Sequence, residues 1–175
     1  MATYLVVGIN KSHAKTYRSL RLRSFEESPL AFSESYQDEK LKSVTTFALE
    51  LEAKGTPIEH FVLGAFTVSD ELVGFVTFKR DTRSKARHKS MIHAMYVAPE
   101  VRGKSIGKLL MEALFTKVKA IEGLEQIHLW VLHANDISAS DFYKKLGFES
   151  QGTAVKKDLK IGDTYIDAEY MVMYL

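Results

Sequence analysis

The chain has no cysteine among its 175 residues. That absence excludes disulfides, thiolate metal sites and any covalent intermediate carried on a cysteine. Prolines number 3 and glycines 10, too few and too scattered for a flexible linker, and neither an internal repeat nor a low-complexity stretch breaks the pattern. No apolar run approaches the ~18 residues of a membrane span. The opening Met1-Ala-Thr-Tyr-Leu-Val-Val-Gly-Ile9 is too short and uncharged for a secretion signal, so a cytoplasmic protein is expected. An excess of one charge is missing too: 24 Lys and Arg against 22 Asp and Glu leave +2, which argues against a nucleic-acid binder. The densest basic stretch, Lys79 to Lys89, is interrupted by Asp81, Thr82, Ser84 and Ala86 and reads as a solvated strand connection, with contact to an acidic partner or a phosphate as the alternative. The histidines fall at no spacing that would hold a metal with one another or with a carboxylate pair, so no metal is expected.

What remains is a chain 46% hydrophobic, enough to bury one sizeable core, and residues 1–175 are expected to form a single domain. Periodicity predicts a strand over 3–9, a helix over about 13–27 and a second over about 34–53, then three strands, a loop with a long helix, another strand, a short helix and two closing strands. Ser12 and Ser33 are candidate N-caps, and Gly55 with Pro57 should stop the second helix. Ser69-Asp70-Glu71 between Phe61–Val68 and Leu72–Phe78 reads as a hairpin turn, and Gly162-Asp163 as the turn of the closing pair. The order is mixed α/β.

The most informative stretch is Tyr96-Val-Ala-Pro-Glu-Val-Arg-Gly-Lys-Ser-Ile-Gly-Lys-Leu-Leu110. Met91–Val97 upstream has the apolar content of a buried strand, and Pro99 cannot continue a ladder. Downstream, Ile106, Leu109, Leu110, Ala113, Leu114, Val118 and Ile121 recur at helical spacing up to Gly123. The first amides of such a helix lack intrahelical acceptors and its dipole adds positive potential, while Arg102, Lys104 and Lys108 supply full charges. Gly103 and Gly107 clear side chains from where an anion would approach. A phosphate-bearing ligand fits this turn. A P-loop does not: counting back from Gly103-Lys104-Ser105 finds Ala98 where the first glycine belongs, and counting back from Gly107-Lys108 finds Arg102, with Leu109 in place of the hydroxyl. The three glycines of a dinucleotide-binding turn are absent as well.

Arg102-Gly103-Lys104-Ser105-Ile106-Gly107 resembles the pyrophosphate loop of the GNAT N-acetyltransferase superfamily, Arg/Gln-x-x-Gly-x-Gly/Ala, with Ser105 in place of the first glycine. His128-Leu-Trp-Val-Leu-His-Ala-Asn135 is similar to the family's next strand and its coenzyme-contacting asparagine. Phe142-Tyr143-Lys-Lys-Leu-Gly147-Phe148 is similar to its Tyr-x-x-x-Gly-Phe ending, although Asn135 and Tyr143 stand one position further apart than usual. The signatures run in family order from Met91 to Phe148. The resemblance implies a central, mostly antiparallel twisted sheet of about six to seven strands flanked by about four helices. It also implies acetyl-CoA as co-substrate, direct transfer to a primary amine of a small molecule or peptide, and no role for nucleic acid or membrane; it admits a homodimer. A catalytically silent acyl-CoA-binding or regulatory module is the alternative.

Carried over residue by residue, the resemblance makes Arg102, Gly103, Lys104, Ser105, Ile106, Gly107 and Lys108 the pyrophosphate contacts. It adds the backbone of Met95, Tyr96 and Val97 beside the acetyl carbonyl, and Asn135 on the coenzyme. Tyr143 would protonate the departing thiolate, or else simply pack the last helix on the sheet. His93 stands where many members carry a glutamate base. An alkyl amine with a pKa near ~10.4 arrives protonated, so a base is needed, and a histidine near ~6.5 is neutral and competent. The competing reading is a core histidine bonded to a carbonyl. Glu26, Glu27 and Glu34 are further candidates for attracting or deprotonating the amine, or solvated helix-end carboxylates. His128 and His133, on a strand with Trp130, read as structural.

Overall fold

The computed structural model describes residues 4–52, 59–133, 139–152 and 155–175. Within them lie β1 (Leu5–Ile9), α1 (Ala14–Glu27), α2 (Tyr36–Leu41), α3 (Val44–Glu50), β2 (His60–Phe66), β3 (Leu72–Arg80), β4 (Lys89–Val97), α4 (Ile106–Val118), β5 (Gln126–His133), α5 (Ser140–Lys145), β6 (Glu149–Ser150), β7 (Val155–Ile161) and β8 (Thr164–Tyr174). One sheet runs β1-β2-β3-β4-β5-β8-β6, with β7 also paired to β8. Every described pairing is antiparallel except β4 with β5. The mixed, mostly antiparallel architecture is the expected one, but the described elements exceed the expected numbers, at eight strands and five α-helices.

The excess has local causes. β6 is two residues long and carries no periodicity to read. The helix expected over 34–53 is broken, because Lys42 is extended and Ser43 caps α3 by accepting from the Thr46 amide. Arg18 of α1 donates to the carbonyls of Lys40 and Lys42, so tertiary donors replace the missing helical ones at the break. Ser35, not Ser33, caps α2. At the first helix the cap is Asn10 rather than Ser12: its side chain accepts from the Ser12 amide while the Asn10 amide donates to the His13 ring, opening a short 3₁₀ turn ahead of α1. Gly55 and Pro57 lie outside the described residues. Both hairpin turns are present, β2 to β3 through Asp70 at φ 62° and β7 to β8 through Gly162 at φ 59°.

Successive residues of β3 divide the molecule into two faces. Phe75 meets Tyr17 of α1 edge-on at 5.1 Å. Its neighbour Gly74 faces α4: a Cβ there would lie 3.3 Å from Leu110 and only 2.9 Å from the Tyr96 carbonyl oxygen, so only glycine lets α4 and β4 come this close. On α4, Ile106, Leu110, Met111, Leu114 and Val118 are the buried stripe. Leu109, expected among them, is 37% exposed, and Met111 takes its place. The Lys79–Lys89 region is only partly the solvated connection expected, since Arg80 is buried and donates to the carbonyls of Arg87 and Glu122.

Candidate active site

Two irregularities in β4 shape the site. Its parallel pairing with β5 consists of three residue pairs, Lys89–Gln126 to Met91–His128, and beyond them the strands part. Its antiparallel pairing with β3 slips at Thr77/Phe78: Thr77 faces Ala94 and Phe78 faces Ile92, leaving His93 as the extra residue of a β-bulge. Cross-strand partners share a face, so Met91 and Ala94 lie with Lys79 and Thr77 on the α1 side, while Ile92 and Met95 lie with Phe78 and Val76 on the α4 side. The bulge therefore aims His93 into the opening and sends Met95 under α4.

Beyond β4 the chain makes a short 3₁₀ turn at Pro99–Val101, and the Arg102 Nε donates back to the Val97 carbonyl at 3.0 Å. Gly103 follows at φ 76°, and Ser105, the residue before α4, is left-handed at φ 62°, ψ 15°. Serine rarely adopts that conformation; here it does so and keeps the turn in the shape a glycine would give. The Ser105 carbonyl accepts from the Leu109 amide, which starts the helix and leaves the amides of Ile106, Gly107 and Lys108 without intrahelical acceptors. Gly107 is needed for a different reason than anion approach alone: a Cβ there would stand 3.1 Å from Met95 Cε and 3.4 Å from the Phe142 ring.

These elements enclose a cleft of about 780 Å³ walled by Phe32, Met95–Val97, Arg102–Gly103, Ser105–Lys108, Phe142 and Tyr143, with Lys145 adding a further cation. A second cleft of about 340 Å³ lies in the fork between β4 and β5. The two share Ala31, Phe32, Met95, Ala139 and Tyr143, so they meet at the tyrosine. Tyr143 is 9% exposed, and its hydroxyl donates to the Met95 sulfur at 3.5 Å. Burial pushes its pKa well above the ordinary phenol value, so it holds its proton at any working pH. A thioether is a weak acceptor, easily exchanged for a better one. α5 is fixed from behind, because buried Glu169 of β8 accepts from Ser140 Oγ at 2.5 Å and lies 3.2 Å from His133 Nε2.

His93 lines the fork cleft and two neighbouring clefts, and among the residues lining the three it alone is common to all. It is no core histidine: its side chain is open to the clefts, and it is the one exposed position of β4. Its pKa is lowered, first by burial and then by Lys79 and His60, with Glu34 opposing them. The imidazole is neutral near pH 7, able to accept a proton.

A family model described as the acetyltransferase (GNAT) family matches residues 18–148. The chain belongs to the GNAT acetyltransferase family. An L-methionine sulfoximine/L-methionine sulfone acetyltransferase of Pseudomonas paraeruginosa is 24% identical over 114 residues, which take in 65% of this chain and 64% of that relative's length. Among solved structures, a GNAT acetyltransferase from Streptococcus pneumoniae superposes with a TM-score of 0.85 at 20% identity, covering 99% of this chain and 100% of that one. A GNAT phosphinothricin acetyltransferase from Sinorhizobium meliloti, in complex with AcCoA, superposes at 0.78 and 20% identity, covering 99% and 89%.

Within this GNAT fold the residues singled out from sequence fall as follows. Met95, Tyr96, Val97, Arg102, Gly103, Ser105, Ile106, Gly107 and Lys108 line one cleft, and Tyr143 lies at its end. The side chains of Tyr96 and Ile106 are buried, so these two can offer a ligand only backbone. Lys104 is exposed on the turn and not on the cleft wall. Asn135 lies outside the described residues. Of the three glutamates, Glu27 is bound to the Tyr96 hydroxyl and to Arg23, Glu26 is exposed near Tyr36, and only Glu34 reaches the clefts. His128 is structural as expected, bonded to the Tyr170 hydroxyl and to Gln126 Oε1. Sequence reasoning missed the Met95 side chain, Phe32, Lys145 and Asp158; only Lys145, two residues after Tyr143, carried a signal that could have been read.

Proposed function

We propose that this protein is an acetyl-CoA-dependent N-acetyltransferase that moves the acetyl group directly to a primary amine. The observation that carries this reading is the meeting of two clefts at Tyr143. One is rimmed by cations and free helix amides, and the other is walled by His93 and Glu34.

In the first cleft, the amides of Ile106, Gly107 and Lys108 with Arg102, Lys108 and Lys145 suit a pyrophosphate, and the left-handed Ser105 keeps the turn open to it. Acetyl-CoA bound there supplies an activated acyl group. His93 takes the extra proton of the incoming ammonium, directly or through a water, and frees the nitrogen lone pair. Along β4 the amides alternate: Tyr96, like Ala98 with its bond to the Val73 carbonyl, turns to β3, so Met95 and Val97 are the ones whose amides face the β5 side, where no described strand pairs, and would hold the developing oxyanion. As the N–C bond forms and the C–S bond breaks, Tyr143 exchanges its weak contact with Met95 for the departing sulfur and gives it the proton, and the surplus proton of the acylated nitrogen reprotonates the tyrosinate, leaving a neutral amide and free coenzyme A. No thiol of the protein takes part, since the chain has none.

The relative from Pseudomonas is named for acceptors derived from L-methionine, which fits a free primary amine as the reacting group. Release of free thiol from acetyl-CoA in the presence of an amine panel tests the proposal. Turnover that requires both substrates is expected; a protein that gains thermal stability with acetyl-CoA yet acetylates nothing would be the silent module instead.

A further inference from the structure

The fork cleft has walls of one chemical character. Among the described residues lining it there is no lysine or arginine, but there are two carboxylates, Glu34 from the segment before α2 and Asp158 from β7. The rest mixes polar surface with large apolar side chains, of which Trp130 is the most open and Met91 and Leu159 are half-buried. Trp130 is 45% exposed although it sits in the middle of the sheet, with its ring packed on Tyr170 at 4.7 Å and its remaining surface open. A large aromatic left open on a concave wall is a docking surface for an apolar group.

The nearest cations do not line this cleft. Arg21 pairs with Glu34 and Glu39 at 3.6 Å each and is packed over the rings of Phe25 and Phe32; its Nη1 has no hydrogen-bond partner among the described residues, but it lines the adjoining cleft and not the fork. Lys42 is bound to Glu39 and Glu50. Lys79 lies beyond His93, in the two adjoining clefts and not in this one. A carboxylate on the carbon next to the reacting nitrogen would be held in the fork cleft whenever the nitrogen is at His93 and Tyr143. There it would face Glu34 and Asp158 without a cation on the wall, and a desolvated, unpaired charge beside like charges is strongly rejected. A bare ammonium on an apolar body meets the opposite conditions: carboxylates and no cation on the described wall, and the open ring of Trp130 for the body.

We infer that the acceptor is an apolar, aromatic-bodied primary amine with no carboxylate beside the nitrogen, in contrast to the L-methionine derivatives named for the Pseudomonas relative. The inference rests on the acetyltransferase reading above and narrows its substrate. Asp158 is the residue that sets the discrimination, since Glu34 already has Arg21 as a partner.

The test uses matched acceptors at saturating acetyl-CoA, read by thiol release: 2-phenylethylamine, L-phenylalanine and L-phenylalaninamide, which differ only at the group in question. kcat/KM for 2-phenylethylamine should exceed that for L-phenylalanine by about a hundredfold or more, with the amide within about tenfold of the amine. The exposed Asp158, changed to lysine, should raise L-phenylalanine relative to the amine at least about fivefold. Equal or better use of L-phenylalanine by the parent protein would overturn the inference. So would an Asp158→Lys protein with an unchanged ratio. If no acceptor releases thiol, calorimetric titration of the amine and the amino acid onto the coenzyme A-bound protein separates the two ideas. Selective binding of the amine would keep the acceptor class while ending the catalytic reading, whereas equal binding or none would end the acceptor class as well.

Discussion

Tyr143 and His93 sit in opposite environments, and each environment suits its task. Tyr143 is enclosed and its phenol is pushed up by burial, so it remains a proton donor until a basic sulfur replaces Met95 as its partner. Tyr143→Phe removes one oxygen and leaves the packing against Phe142 and Phe148, so acetyl-CoA affinity should persist while turnover falls by about 10²–10⁴. His93 is pushed the other way: its lowered pKa means the native protein takes up this proton at lower pH than the unfolded chain does. The acidic limb of kcat/KM should therefore have its midpoint below the ordinary ~6.5. His93→Gln should flatten that limb, and activity should recover toward the amine's own pKa. Lys79→Met removes a cation that disfavours the imidazolium and should move the midpoint upward; an unmoved midpoint in both variants would shift the base to Glu34 or water. Sequence spacing located His93 on the right strand but could not reveal that it is the extra residue of a bulge, because the slip at Thr77/Phe78 belongs to the pairing of two strands and leaves no mark in either one alone.

At the scale of the element, the turn into α4 was the most legible part of the chain because its constraints are local: a proline that ends a strand, glycines, cations and a helical stripe all lie within a few residues. What the stripe could not tell was rotation, so Leu109 and Met111 were exchanged, a matter of which helical face meets β2 and β3. The serine in that turn is the instructive departure. Left-handed backbone costs a non-glycine residue about 1–2 kcal/mol, yet glycine also makes the unfolded chain looser by about 0.4–1 kcal/mol. Ser105→Gly should accordingly change stability by under about 1 kcal/mol and leave coenzyme affinity intact or tighter; a large loss of affinity would give the hydroxyl a role of its own. Gly107→Val presses on Met95 and Phe142, whose contacts close the cleft from within. Its acetyl-CoA-induced rise in Tm should disappear, with the unliganded protein destabilised by about 1–3 kcal/mol for overpacking. Retained binding would place the pyrophosphate elsewhere. The break between α2 and α3 was illegible for the converse reason: Arg18, far away in sequence, provides the donors that make it tolerable.

For the molecule as a whole, a ligand held only by the native state at ~100 times its Kd adds about 2.7 kcal/mol, so acetyl-CoA and CoA should both raise Tm while ATP with magnesium should not. α1 is tied to β4 and the turn after it by a chain of charged contacts, Tyr96 to Glu27, Glu27 to Arg23, and Arg23 to both oxygens of Glu100 at 2.7 Å. The Glu100 carboxyl is held down to about 2 by that guanidinium, so the clasp should survive ordinary acid conditions. Mechanically, the sheet is a plate slit from one side, and the slit ends at three residue pairs, where Ser90 Oγ is stitched to the Gln126 carbonyl at 3.0 Å. A slit concentrates strain at its tip, and whatever fills the slit props it open and stops it working back and forth. The Ser90 and Ile127 amides, both buried and neither lining the fork cleft, should then exchange with solvent deuterium more slowly once an acceptor amine fills the fork of the coenzyme A-bound protein, a crack-tip reading of ligand binding taken from atoms the ligand never touches.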